Sequence, residues 1–160
     1  MRRPLLVLVL LATIAATLPK AGFAKTKWPS SGSKAGHATR VQKLARRVVA
    51  YARHQIGVSY SWGGTSRSTG FDCSGLVYAA YRSVGWKVPR SSWDQLRAGR
   101  PVRFARLRPG DLIFTEGGGH VQLVVSNRAA ISAPRTGERV RYVPLAQLRP
   151  EFTGARRLLK

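Results

Sequence analysis

At Pro109-Gly110 the hydrophobic period of the chain changes, and a fold of a single class cannot accommodate the change. Upstream, between Thr39 and Ile56, apolar residues fall at Val41, Leu44, Ala45, Val48, Val49, Ala52 and Ile56, the spacing of one helical face, with Arg and Lys on the other. Thr39 is placed to cap this helix and Gly57 to end it. A second helix is predicted from about Cys73 to Val84, before Gly85. A short third covers Ser92 to Ala98, with Ser91 or Ser92 at its start. The loop YSWGGTSRSTGFD joins the first two. Downstream of Pro109-Gly110, the runs DLIFTE, HVQLVVS, AAISAP, RVRYVPL and ARRLL are short and β-like, separated by Gly, Asn, Arg or Pro. The expectation is an α+β fold, with N-terminal helices packed on a small antiparallel sheet.

The 160 residues suit one domain with a short appendage. The appendage has the form of an address. Met1-Arg2-Arg3 is basic, Leu5 to Leu18 is apolar, and Pro19-Lys20 ends the run. That run is shorter than the about 20 residues a membrane span needs. Gly22 and Ala24 supply small residues at −3 and −1 of a cut after Ala24. Residues 1–24 are therefore expected to be a secretory signal peptide, leaving no stable membrane anchor once removed. Residues 25–38, KTKWPSSGSKAGHA, read as a basic flexible lead-in, and 39–160 as the domain.

Charge narrows the surroundings. The chain has 28 Lys+Arg against 6 Asp+Glu, a net of +22. Without Arg2, Arg3 and Lys20, 25 basic residues remain against the same 6 acids, a net of +19 on the exported chain. Anionic polymers of a bacterial envelope, in periplasm or cell wall, are the expected counterpart. Nucleic acid is not expected as a partner: the four Trp are dispersed singly and no nucleic-acid motif is present.

The chain has a single Cys, which excludes an internal disulfide and a zinc site with two or more thiolates. It stands in GFDCSGLVYAAY, where the second helix begins. Helix dipole and free N–H groups at such a position favour thiolate over thiol and can hold an oxyanion. An active nucleophile there is expected to have a lowered pKa and to alkylate quickly below neutral pH. A buried structural thiol is the competing reading, and position alone does not separate the two. A cysteine nucleophile needs a base. His37 lies in the lead-in and His54 off the apolar stripe of the first helix. His120 follows three glycines and opens a strand, which makes it the best placed of the three.

The ordered blocks GVSYSWGG, FDCSGLV, VPRSS, RPGDLIF, GHVQLVV and ISAPRTG resemble the NlpC-type (NlpC/p-sixty) cell-wall cysteine peptidases over about Val41 to Leu159. The resemblance implies a papain-like α+β fold and a secreted, monomeric hydrolase of peptidoglycan stem peptides that uses no cofactor and no metal. The bond it implies is the one between D-γ-glutamate and a diamino acid. It places the nucleophile on Cys73, the base on His120 and an active-site tyrosine on Tyr60. Asp72 and Ser74 match positions that contact the substrate's amino end. Asp111 looks structural, a polar residue fixing a turn before a strand. Two positions depart from the pattern. The residue that orients the base, most often His, is here Ser132, and Gln122 stands where Gly is usual. A serine hydroxyl can accept the base's ring N–H but is shorter and uncharged. Three readings stay open: a Cys73/His120/Ser132 triad of reduced efficiency, a contact supplied by water or a backbone carbonyl, or a weak or inactive wall-binding scaffold.

Overall fold

Apolar residues at helical spacing nucleate the first element, and the helix they nucleate runs further back than its stripe. A computed structural model describes residues 34–160, with side chains from Thr39 onward. The leader 1–24 and the lead-in up to residue 33 lie outside the described residues. Helix α1 spans Lys34–Arg53. It takes in residues 34–38, assigned above to the flexible lead-in, and it holds Thr39 inside the helix, not at its cap. The reason is propagation: once a turn is nucleated, each added residue gains a hydrogen bond, and KAGHA contains no Pro to stop it. At the other end the helix stops at Arg53, and tight turns closed by the Gln55 and Val58 N–H groups carry the chain through Gly57, whose φ is +86°.

The loop after α1 is not featureless. Strands β1 (Thr65–Ser66) and β2 (Gly70–Phe71) pair antiparallel within it. Helix α2 (Cys73–Arg82) follows at once, and α3 (Ser92–Arg97) is capped by Ser91, whose Oγ accepts the Asp94 N–H at 3.1 Å. The remaining elements are β3 (Arg100–Pro101), β4 (Leu112–Thr115), β5 (His120–Val124), β6 (Ala129–Ser132), β7 (Arg141–Pro144), α4 (Leu145–Leu148) and β8 (Gly154–Arg157). Six strands form one antiparallel sheet in the order β3-β8-β4-β5-β6-β7. The fold is α+β, as the change of period required.

Alternation along the strands divides the core in two. Leu112, Phe114, Val121, Leu123 and Ile131 pack with Phe71, Leu76, Val77 and Tyr81 beneath the helices. Ile113, Val124, Ala130 and Val143 face the other way, under Leu145 and Leu148 and against Phe104 and Phe152. Burying each such side chain stabilises the fold by about 1.5–3 kcal/mol. Helix α2 is thereby held against β5, which sets the start of one against the start of the other.

The Pro109-Gly110 turn is pinned from three sides. Gly110 has φ +91°, a left-handed conformation that favours glycine, and its carbonyl accepts the Tyr81 hydroxyl from α2. Asp111 Oδ2 accepts the Arg108 N–H at 2.8 Å, so it does fix the turn. It also forms an ion pair with Arg157 of β8, at 2.6 Å to each carboxylate oxygen, which the local pattern did not indicate.

Candidate active site

Helix α2 begins at Cys73 because Asp72 satisfies the N–H groups that a helix start leaves free. Asp72 Oδ1 accepts the Gly75 N–H at 2.6 Å and Oδ2 accepts the Gly63 N–H at 2.8 Å. Arg90 donates to both oxygens, at 2.9 and 2.6 Å. Ser74 donates its hydroxyl to Asp72 Oδ1 at 3.3 Å and accepts from Arg90 at 2.9 Å. Gln95, fully buried, donates to the carbonyls of Ser74 and Pro89 at 3.1 and 2.8 Å. One carboxylate therefore joins the W-G-G loop, the start of α2 and the V-P-R-S loop. Burial alone would raise the Asp72 pKa. The Arg90 guanidinium and the N–H groups of Gly75 and Gly63 outweigh it and hold the group below the ordinary carboxylate value.

Asp72 and Ser74 were expected to meet a substrate. Both are buried, 7% and 6% exposed, and their side chains hydrogen-bond within this network, the Ser74 hydroxyl also meeting the Cys73 thiol. Arg90 was not singled out from sequence, although it is the one cation in the VPRSS block.

The W-G-G loop also docks on α2 by close approach. A Cβ at Gly75 would run into the Gly64 carbonyl oxygen and press on Asp72 Oδ1. Gly75→Ala is therefore expected to push the loop off the helix and lower the melting temperature by roughly 5–10 °C, a cost of about 2 kcal/mol. A melting temperature within 1 °C of wild type would show that the loop yields freely.

The Cys73 thiol lies half-buried at the N-terminus of α2, facing the backbone N–H of Val121 and that of Ser74. Burial pushes the thiol pKa up, and the Asp72 carboxylate adds to the rise. The N–H groups pull the other way and do not prevail. This reverses the expectation, drawn from the helix start, of a lowered thiol pKa. The dipole is a local effect, and desolvation by the packed sheet is larger.

His120 opens β5, immediately before the Val121 whose N–H meets the thiol. Its Nε2 lies 2.9 Å from Ser132 Oγ, so Nδ1 is the ring nitrogen left for other work. Burial lowers the imidazole pKa, opposed by the charges of Glu116 and Glu151. Both shifts favour the uncharged forms, thiol and neutral imidazole. Ser132, 2% exposed, ends β6. The Tyr60 phenol is raised by burial first and then by Cys73 and Asp72, against Arg90, so it shares the same electrostatic surroundings.

Of the other candidates, His54 is exposed, with Nδ1 2.7 Å from the Ala50 carbonyl. The His37 side chain lies outside the described residues. Gln122 is buried, not lining an open cleft, and donates Nε2–H to Thr115 Oγ1 at 3.1 Å. Trp62, beside Gly63, is 87% exposed, an accessible aromatic face that sequence reading weighed only among the dispersed tryptophans. Among the described residues no three His, Cys, Asp or Glu side chains gather as metal ligands.

Comparison with known proteins adds a family and named relatives. Residues 57–157 match the model of the NlpC/P60 family. Murein DD-endopeptidase MepH of Escherichia coli is 38% identical over 151 residues, covering 88% of this chain and 56% of MepH. A gamma-D-glutamyl-L-lysine dipeptidyl-peptidase of Bacillus subtilis is 37% identical over 98 residues, covering 58% of this chain and 33% of that protein. The chain thus spans about half or less of these relatives. Solved structures of the Resuscitation Promoting Factor Interacting protein RipA, of Mycobacterium tuberculosis, are also similar. The form altered at a glutamate has a TM-score of 0.68 at 31% identity, covering 76% of this chain and 65% of that one. Other forms are altered at a cysteine and at a histidine, and that histidine and glutamate stand 12 positions apart, as His120 and Ser132 do here.

Proposed function

Because the chain belongs to the NlpC/P60 family, we propose that it is an exported cysteine peptidase acting on peptidoglycan, with Cys73 as nucleophile, His120 as general base and acid, and Ser132 as the group that orients His120. The observation that carries this reading is the arrangement at the start of α2. The Cys73 sulfur faces the Val121 N–H, and the neighbouring His120 has its Nε2 engaged by Ser132.

The chemistry follows. Nδ1 of neutral His120 takes the Cys73 proton as the sulfur attacks the substrate carbonyl, forming a C–S bond. Backbone N–H groups at the α2 start and the Tyr60 hydroxyl stabilise the oxyanion. The C–N bond breaks as His120 returns the proton to the leaving amine. Water, activated by the same imidazole, then hydrolyses the thioester and restores the thiol. Asp72, Ser74 and Arg90 form the floor on which the substrate's amino end would rest, and Trp62 its exposed wall.

The bond is proposed to be the one between D-γ-glutamate and the diamino acid of a stem peptide. The name of the Bacillus relative supports this choice, and that of MepH points to the alternative of a D,D cross-link. Mass spectrometry of digested peptidoglycan separates them. New γ-glutamyl carboxyl termini are expected; opened D,D cross-links with intact stems would overturn the assignment of the bond. Export rests on the leader pattern of residues 1–24. Attraction to anionic wall polymers rests on the charge. Part of that charge lines a cleft of about 590 Å³ away from Cys73, where Arg46, Arg100, Arg108 and Lys160 come together. Such attraction is weakened by salt.

The pKa directions predict the pH behaviour. The base must be neutral, and burial keeps His120 neutral below the ordinary value of 6.5, so the acid limb of kcat/KM is expected below that pH. In the free protein, alkylation of Cys73 by iodoacetamide should stay slow at neutral pH and accelerate only above the ordinary thiol value of 9.0. Full-rate alkylation at pH 6 would show a resting thiolate instead.

A further inference from the structure

We propose that Gln122 is a positioning residue for His120, acting through Ser132: its buried side-chain carbonyl accepts the Ser132 hydroxyl through one bridging water, leaving the Ser132 oxygen to accept the His120 Nε2–H. The inference rests on the proposed roles of Cys73, His120 and Ser132.

A serine hydroxyl has one proton and two lone pairs. If Ser132 points its proton at His120 Nε2, the imidazole must carry its own proton on Nδ1, and Nδ1 cannot then take the proton of Cys73. The productive tautomer has Nε2–H donating to Ser132 Oγ. The hydroxyl proton then needs a second acceptor, in a place 2% exposed.

Two independent observations identify that acceptor. The Oε1 of Gln122 is buried and has no hydrogen-bond partner among the described residues. Buried polar atoms without partners are uncommon enough to need a reason. The sheet also sets this residue beside the serine. Strands β5 and β6 pair Leu123 with Ile131 and Val124 with Ala130, and Gln122 and Ser132 stand one residue beyond the last of these pairs, where the same register extended would set them opposite each other. Alternation puts both on the face that carries Val124 and Ala130. Side chains directly opposite in antiparallel strands have Cβ atoms about 4.5–5.5 Å apart, and since Oε1 makes no direct bond to Ser132 Oγ, one water spans the remaining gap.

The amide is also oriented. Its Nε2–H donates to Thr115 Oγ1 at 3.1 Å, which leaves the carbonyl as the free end. The two positions where the chain departs from the family pattern are thus cross-strand neighbours: a short hydroxyl at one is matched by a long acceptor at the other. The charged groups acting on His120 are Glu116 and Glu151, and Arg141 lies opposite Ser132 on β7. None of them supplies the missing acceptor to the hydroxyl.

The test compares Gln122→Met, which keeps length but loses the acceptor, with Gln122→Glu, which keeps an acceptor. Each is assayed on a soluble muropeptide and by 15N NMR of the His120 ring in the full-length protein. Gln122→Met should lower kcat by about tenfold with KM within twofold, and should move His120 from the Nε2–H toward the Nδ1–H tautomer. Gln122→Glu should keep the Nε2–H form. In the Ser132→Ala background, Gln122→Met should cost nothing further, because the path through the hydroxyl is already broken. An unchanged tautomer in Gln122→Met, or losses that simply add in the double variant, would overturn the proposal and leave Gln122 as packing. Wild-type protein that releases no fragments would overturn the peptidase reading instead, while the tautomer measurement would still decide the role of Gln122.

Discussion

Cys73→Ala is expected to abolish release of muropeptides from purified sacculi, a loss of at least about 10⁴-fold, with folding intact. The chain has no second cysteine to take over, so the loss cannot be masked. The sulfur packs against the core only in part, and the helix end it occupies is capped by Asp72 rather than by Cys73 itself, so Ala in its place keeps the cap. The melting temperature should therefore stay within a few degrees of wild type. The measurement is fragment release by wild type and variant, side by side, with circular dichroism as the folding control. Equal release would sink the thiol mechanism. Absence of release by both would favour the binding-scaffold reading that Ser132 keeps open.

The second large effect is on stability. Asp111→Ala should destabilise the protein by about 3–5 kcal/mol and lower its melting temperature by roughly 10 °C or more. Asp111 is 1% exposed in its side chain and Arg157 15%, so removing the carboxylate leaves a guanidinium largely out of water without its counter-charge. The same change frees the Arg108 N–H and loosens the turn on which the Tyr81 hydroxyl rests. Arg157 keeps one contact, with the Arg106 carbonyl at 3.1 Å, which cannot neutralise it. Urea denaturation gives the number, and a loss under about 1 kcal/mol would mean that water enters and solvates Arg157. Exposed pairs such as Arg97–Asp94 should show no comparable loss, because solvent already screens them.

The legible parts of the fold are those whose signal is local and repeated. The stripe from Val41 to Ala52 announces α1, and short β-like runs punctuated by Gly, Asn, Arg or Pro announce β4 to β8. The start of α1 was misjudged because helix propagation carries through residues that have no stripe of their own. The three two-residue strands carry too little pattern to read. The place of β8, between β3 and β4, is set by pairings that join residues forty or more positions apart. For the proposed site, block order and spacing point to Cys73, His120 and Ser132, and the structure sets His120 Nε2 against Ser132 Oγ. Arg90 could not be assigned, because its purpose appears only when the V-P-R-S loop comes back onto Asp72.

Residue order alone settled that helices precede a sheet, that a lone thiol opens a helix, and that a histidine stands 12 positions before a serine. Packing decided the direction in which the pKa of that thiol moves. A helix dipole is built from neighbouring peptides and can be read along the chain, whereas desolvation comes from whatever the rest of the fold lays over the sulfur. Packing also set Gln122 across from Ser132. That relation depends on strand register, and register is fixed only when two distant runs commit their apolar residues to the same face of one sheet.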